Sequence, residues 1–319
     1  MPQIHEKKTV VIGASILDVT GMPNVELIKN DSNPGQIFIT PGGVARNIAE
    51  NLALLNLDVD LISAIGNDVW GKILLDLCHQ SNIKTNHCVF ADHECTALYL
   101  SINNLQKNLE LAIVNTDIMN KLSPGYIETK SGFINQCPII VAETNLTEDT
   151  LRYIVDEFAN IPIFLDVVST TKAKKVKDFI GKFHTIKPNL AEAEILTGIK
   201  MKKQSDLLLM ADYFITKGVQ QIYITMGKKG CFYANKTERG FVEQINIEPV
   251  NTSGAGDAYM AGLVYSHLHQ KTLHDSAVFA TAMSLAALTN INTVNNNINI
   301  SFIEKIIKTH KICSKNTLI

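Results

Sequence analysis

The chain has 319 residues, is 46% hydrophobic, and carries 29 basic against 31 acidic residues for a net charge of −2. That length suits one large α/β domain with a sizeable core. The near-balanced charge excludes the global basic bias of a nucleic-acid binder, and no apolar run approaches the roughly 18 residues of a membrane span, so neither nucleic acid nor membrane is expected as a partner.

Met1–Thr9 is polar and runs directly into Val10-Val11-Ile12, so no secretory leader is read and a cytoplasmic location is expected. Six cysteines, none in a CxxC pair, read as thiols in a reducing compartment: Cys78, Cys88, Cys95, Cys137, Cys231 and Cys313. Short β-branched runs at Val10–Ile12, Val59–Ala64, Ile139–Ala142, Ile163–Asp166, Thr185–Lys187 and Gln221–Met226 read as strands of a sheet buried on both faces. Helical patterns lie between them. Val44–Leu55 repeats apolar residues at helical spacing, and Thr147–Ala159 opens on a Thr147 cap followed by Glu148 and Asp149. Gly254–Ala287 reads as two long helices, followed by an Asn-rich loop at Thr289–Asn299. This alternation predicts an α/β fold, a mostly parallel sheet with helices on both faces. Two stretches interrupt it, Pro23–Thr40 and the hairpin-like Cys95–Val114, and both fit a small β excursion.

The segment Asn251–Gly262 (NTSGAGDAYMAG) carries the chemistry. Gly254, Ala255 and Gly256 precede Asp257 at an expected helix start. Unpaired N–H groups there favour an anion such as phosphate. A carboxylate beside an anion site is electrostatically awkward unless it removes a proton from an attacking hydroxyl. The segment alone reads equally well as an ordinary helix start with an acidic first turn. Other phosphate machinery is missing: there is no GxxxxGK[ST] loop, no GxGxxG after the first strand, and no HExxH or Cys/His cluster. Gly42-Gly43 opens a second helix that carries Arg46 and Asn47, and the Asn47 amide offers both donor and acceptor to sugar hydroxyls.

Taken together, Gly42-Gly43…Asn47…Gly66, Asn189-x-x-Glu192, Thr225-x-Gly227-x-x-Gly230 and Thr252-x-Gly254-Ala255-Gly256-Asp257 resemble the signatures of the ribokinase-like (PfkB) family of carbohydrate and nucleoside kinases, in that family's order. The resemblance implies a single ribokinase-like three-layer sandwich over residues 1–319, with a β lid from about 20–41 and 93–117. It implies Asp257 as base and Gly254, Ala255 and Gly256 as anion hole. Asp18, at the end of the first strand, would hold the sugar with Gly42, Gly43 and Asn47. Asn189 and Glu192 would organise Mg2+ through water, and Thr225, Gly227 and Gly230 would line ATP, with Asn290 in the Asn-rich loop beside the adenine. It also implies a homodimer through the lid. Asn251 stands where relatives bind K+ with Asp, Ile16 where many carry Asn, and Asn56 where the first signature usually has Gly or Ser.

Within the family, Asp31-Ser32-Asn33-Pro34-Gly35, Arg46-Asn47-Ile48-Ala49 and Val114-Asn115 are most similar to the pseudouridine kinases. That similarity implies transfer of the γ-phosphoryl group of ATP to a nucleoside 5′-hydroxyl, with Asn33, Thr96 and Asn115 reading the base and Glu143 nearby. Asp166 and Lys172 are expected nearer the phosphates, although Lys172 also begins a solvated lysine run. A kinase of a free sugar, such as ribose or fructose, and a non-catalytic sugar- or nucleoside-binding regulator remain open readings.

Overall fold

The computed structural model describes residues 8–243 and 247–312 and the backbone of 314–315; Cys313 lies outside them. A nine-stranded sheet runs in the order Ser314–Lys315, Arg239–Val242, Cys231–Ala234, Gln221–Thr225, Thr185–Ile186, Ile163–Asp166, Ile140–Glu143, Lys8–Ile12 and Asp58–Ile62. The six expected strands are its consecutive parallel part. The remaining three add antiparallel at one edge.

Alternate residues of each strand feed different cores. Val10, Ile12, Ile140 and Leu165 pack on one face with the helices Glu148–Glu157 and Asp206–Lys217. Val11, Val141 and Phe164 pack on the other with Val44–Leu54, Ala255–Leu268 and Leu273–Leu288. A sheet covered on both faces explains why its strands are apolar without alternation. No helix among the described residues is long and apolar enough to cross a membrane. Thr147 caps its helix as expected, accepting from the Thr150 amide.

The excursions form a separate four-stranded sheet in the order Gly35–Gly42, Ile16–Pro23, Leu98–Asn103 and Leu109–Asn115. Two expectations need correction. The first strand ends at Ile12, and Asp18 belongs to the second strand, in the lid sheet, where it pairs with Thr40. The Val59–Ala64 run also divides: Asp58–Ile62 joins the main sheet, whereas Ala64–Gly66 pairs with Val89–Ala91.

Candidate active site

Parallel strands leave their C-terminal ends facing one crevice, the usual ligand position in such sheets. Glu143, Asp166, Lys187 and Thr225 end, or directly follow, strands there, with Glu143 and Asp166 in register. Facing them is the start of the Ala255–Leu268 helix. Gly254 adopts φ 77° as its N-cap, and a Cβ there would overlap the Thr293 carbonyl. The first helical bond runs from Ala258 N to the Gly254 carbonyl at 2.9 Å, so the amides of Ala255, Gly256 and Asp257 have no helical partner. Gly254→Ala is expected to lower both melting temperature and turnover, because left-handed alanine costs about 1 kcal/mol before the overlap is counted. A thermal melt and an ADP-release assay check this; a melt unchanged from the parent would contradict it.

Asp257 accepts a hydrogen bond from Asn47 Nδ2 at 2.8 Å. Burial at the floor of the crevice, then the charge of Asp166, push its carboxyl up to about 7, while Asn47 and Lys187 pull the other way. Its side chain still keeps an opening to solvent. A carboxylate poised near neutrality is suited to general-base chemistry.

Lys187 lies 3.0 Å from Asp166 Oδ2, both side chains being buried. Burial alone would lower the Lys187 pKa, but Asp166, with Glu192 and Asp257, raises it, so it stays an ammonium ion. Its Nζ lies 3.2 Å from where a side chain on Gly256 would begin, which puts a fixed positive charge against the helix start. Asp166 Oδ1 accepts from the Val168 amide at 2.9 Å. Val168 holds a φ of 58°, a strained conformation for a β-branched residue.

Glycines bring the lid and the first helix together. A Cβ at Gly42 would strike the Asp18 carboxylate, and one at Gly43 (φ 93°) would strike the Ala14 carbonyl. Asp18 therefore lies over the glycine pair. Burial pushes its carboxyl up to about 6 against the opposing charge of Arg46. Asp18 thus meets Gly42 before the first helix, and Asn47 on that helix meets Asp257.

Thr225, Gly227, Gly230, Ala255 and Gly256 line a cavity of about 300 Å³ together with Pro249, Tyr259, Leu285 and Leu288. A slot apolar at its back and open to helix amides at its front suits a planar base followed by phosphates. A larger cavity, about 650 Å³, is lined by Arg46, Glu50, Asn251 and the Asn-rich loop and does not include Asp257.

Asn189 and Glu192 form a reciprocal capping box: the Glu192 amide donates to Asn189 Oδ1 at 2.9 Å, and the Asn189 amide donates to Glu192 Oε2 at 2.8 Å. Burial raises the Glu192 pKa. Among the described residues no group of three or more His, Cys, Asp or Glu could hold a metal directly. Glu192 is a carboxylate and Asn189 an amide, oxygen groups of the kind that suit Mg2+ and its bound waters when the ion is carried by phosphates.

Several expected contacts are not brought together. Asn33 Oδ1 accepts from the Ile28 amide at 2.7 Å, and its Nδ2 donates to the Ile28 and Asp31 carbonyls, so it closes its own loop. Thr96 is fully buried and its hydroxyl donates to Asp68 Oδ1 at 2.7 Å, tying the lid to the Asp68 helix cap. Asn115 accepts from the Asp117 amide at 3.2 Å at the end of an exposed edge strand. Glu143 is fully buried and accepts from the Ala14 and Asn145 amides, each at 2.5 Å, which makes it a brace under the turn into the lid. Burial pushes the Glu143 carboxyl up to about 7. Asn290 accepts from the Asn292 amide at 2.8 Å and does not line the 300 Å³ cavity. In each case a short polar side chain satisfies nearby groups before any ligand does.

Other residues gain a place. Lys172, read as part of a solvated run, bonds Asn145 Oδ1 beside Glu143. Lys175 donates to the Thr144 and Leu146 carbonyls at 2.9 and 2.8 Å. Lys187 and Arg46 were visible only as neighbours of the Asn189 and Asn47 motifs, and only tertiary closure reveals their contacts. Asn251 donates to the Ile291 carbonyl at 3.0 Å, so it supplies a hydrogen bond where relatives have a charge.

Residues 6–299 match the model of the pfkB family carbohydrate kinases. The chain belongs to the PfkB family. A pseudouridine kinase from Escherichia coli (strain K12) is 38% identical to this PfkB chain over 293 residues, covering 92% of it and 94% of the relative. Arabidopsis thaliana ribokinase, solved with ribose and ATP, superposes with a TM-score of 0.81 at 16% identity, over 95% of this chain and 99% of that one. An Escherichia coli chain described as ribokinase II, solved with ATP and Mg2+, gives a TM-score of 0.82 at 17% identity, over 95% and 100%. At such identities the two structures speak for the fold, a ribokinase-like α/β sandwich. The family and the 38% identical relative make this chain a phosphotransferase acting on an alcohol group.

Proposed function

We propose that this PfkB kinase transfers the γ-phosphoryl group of ATP to the 5′-hydroxyl of a nucleoside, with pseudouridine as its preferred acceptor. The observation that carries the reading is Asp257, held by Asn47 beside three helix amides that have no helical partner. Asp257 removes the hydroxyl proton as the oxygen bonds to the γ-phosphorus. The bond to the ADP oxygen breaks, and the amides of Ala255 and Gly256, with Lys187 behind them, stabilise the charge on the transferred group. Asp18, Gly42, Gly43 and Asn47 hold the ribose. Thr225, Gly227 and Gly230 line the nucleotide. Glu192 and Asn189 would hold a phosphate-bound Mg2+ through water, and the ion would neutralise phosphate charge.

The preference for pseudouridine is supported by the 38% identical relative of that activity. A second reading, a kinase of a free sugar such as ribose or fructose, is favoured by one observation: Asn33, Thr96 and Asn115 are already bonded within the protein. The proposal extends to a homodimer through the lid, supported by the exposed Ile37, Phe38, Ile39, Leu111 and Ile113 on that sheet.

Calorimetric titration of pseudouridine and of ribose into the protein with a non-hydrolysable ATP analogue separates the readings. We expect pseudouridine to bind at least about tenfold tighter, a difference of about 1.4 kcal/mol. Equal or tighter binding of ribose would overturn the nucleoside assignment. Proton-coupled phosphorus NMR of the product should place the phosphate on the 5′-methylene; a phosphate on another carbon would contradict the proposed geometry.

A further inference from the structure

Arg46 is 1% exposed and lines the 650 Å³ cavity, which does not include Asp257. Its Nη1 donates to Asn47 Oδ1 at 3.0 Å and to the Pro41 carbonyl, at the end of a lid strand, at 3.2 Å. Its Nη2 pairs with Glu50 one helical turn on, and Ser81 Oγ in turn donates to Glu50 Oε1 at 2.8 Å. We infer that Arg46 is a positioning residue that fixes which way the Asn47 amide faces, and through it the setting of Asp257 and of the acceptor hydroxyl. This rests on the kinase reading above.

The argument is one of donor and acceptor identity. A guanidinium can only donate and stays protonated throughout the working pH range. The Asn47 atom it meets must therefore be the oxygen. Nδ2 is left pointing at Asp257, with one hydrogen on that carboxylate and the second free for a substrate hydroxyl. Without Arg46 the amide can turn over, and its oxygen would then face the Asp257 carboxylate, acceptor against acceptor. Asn47 thus presents a donor to the substrate, which refines the expectation that it offers both functions. The charge of Arg46 also reaches Asp18 from the lid and Cys78 from the Val69–Gln80 helix, so one cation sits behind both sugar-binding side chains. The charges that bear most on Asp257 are Asp166, Lys187 and Glu143, and Arg46 acts on it through Asn47.

The test uses Arg46→Lys and Arg46→Met, alone and combined with Asn47→Ala. Lysine keeps a cation for Glu50 but loses the planar fork. If Arg46 serves only to hold the fold through Glu50, lysine restores wild-type behaviour. If it positions Asn47, lysine does not: acceptor KM rises about tenfold, ATP KM is unchanged, and adding Arg46→Lys to Asn47→Ala changes KM by less than about twofold. A full tenfold effect in the Asn47→Ala background would overturn the inference. A readout without turnover is the carboxyl carbon of Asp257, followed by NMR through a pH titration of the ligand-free protein. Arg46→Lys and Asn47→Ala should raise its midpoint by the same amount. An unmoved midpoint in Arg46→Lys, or in Asn47→Ala itself, contradicts the chain of contacts. Should pseudouridine not be a substrate, the kinetic arm uses whichever acceptor turns over, and the titration decides even if none does.

Discussion

Replacing Asp257 by Asn is expected to cut kcat by about 10²- to 10⁴-fold, while the KM values for ATP and acceptor stay within about threefold. The amide keeps the volume and the neighbour Asn47 but cannot take a proton. The same substitution should stabilise the fold above neutrality. Burial raises the carboxyl from its ordinary 3.8 to about 7 in the folded chain. Between those values the folded protein holds a proton that the unfolded chain has released, so stability falls as pH rises through the window. Asp257→Asn removes that fall. Its melting temperature should match the parent near pH 4 and exceed it at pH 8. Glu143 is shifted in the same direction and is present in both proteins, so its own fall of stability with pH remains in each. Near-parental turnover, or a melting difference independent of pH, would count against the assignment.

Lys187→Met should be the most damaging change to the site's framework. It leaves Asp166 buried without its cation, and breaking a buried pair costs about 3–5 kcal/mol. It also removes a charge that lowers the Asp257 pKa. In the parent, kcat/KM for the acceptor should rise with pH and level off above about 7, as the base ionises. In Lys187→Met that rise moves to higher pH. Urea unfolding and a pH–rate profile check the two effects separately. A variant of unchanged stability with its rise still near 7 would mean the ion pair is peripheral to the chemistry.

What could be read in the sequence follows from what each signal depends on. The six parallel strands were legible because burial on both faces leaves unbroken apolar runs, as at Val10–Ile12 and Ile163–Asp166. The helix start at Gly254–Asp257 was legible because glycine is the usual residue for the left-handed backbone adopted there, where a Cβ would also overlap the Thr293 carbonyl. The antiparallel strands Cys231–Ala234 and Arg239–Val242 escaped notice, being only four residues each and separated by turn residues. Asp18 was assigned to the wrong strand because the chain turns out of the sheet at Gly13, within an otherwise continuous apolar run.

The site divides along the same line. Asp257, Asn47, Gly42 and Gly43 carry local signatures, and the fold brings them together. Asn33, Thr96 and Asn115 were chosen as polar residues of the expected lid, and polarity does not say whether a side chain serves a ligand or its own loop. Lys187 does its work through Asp166, more than 20 residues away, and Arg46 through the orientation of the Asn47 amide, which its i,i+4 spacing to Glu50 does not reveal.

The measurement that bears most directly on the account is ADP release with Mg2+ and ATP, determined as kcat/KM for pseudouridine, uridine, adenosine, ribose and fructose. The account predicts pseudouridine to exceed every other acceptor by at least about tenfold. A free sugar in first place would contradict the nucleoside assignment, and no turnover with any of the five would contradict the account of Asp257 as a working base for these acceptors.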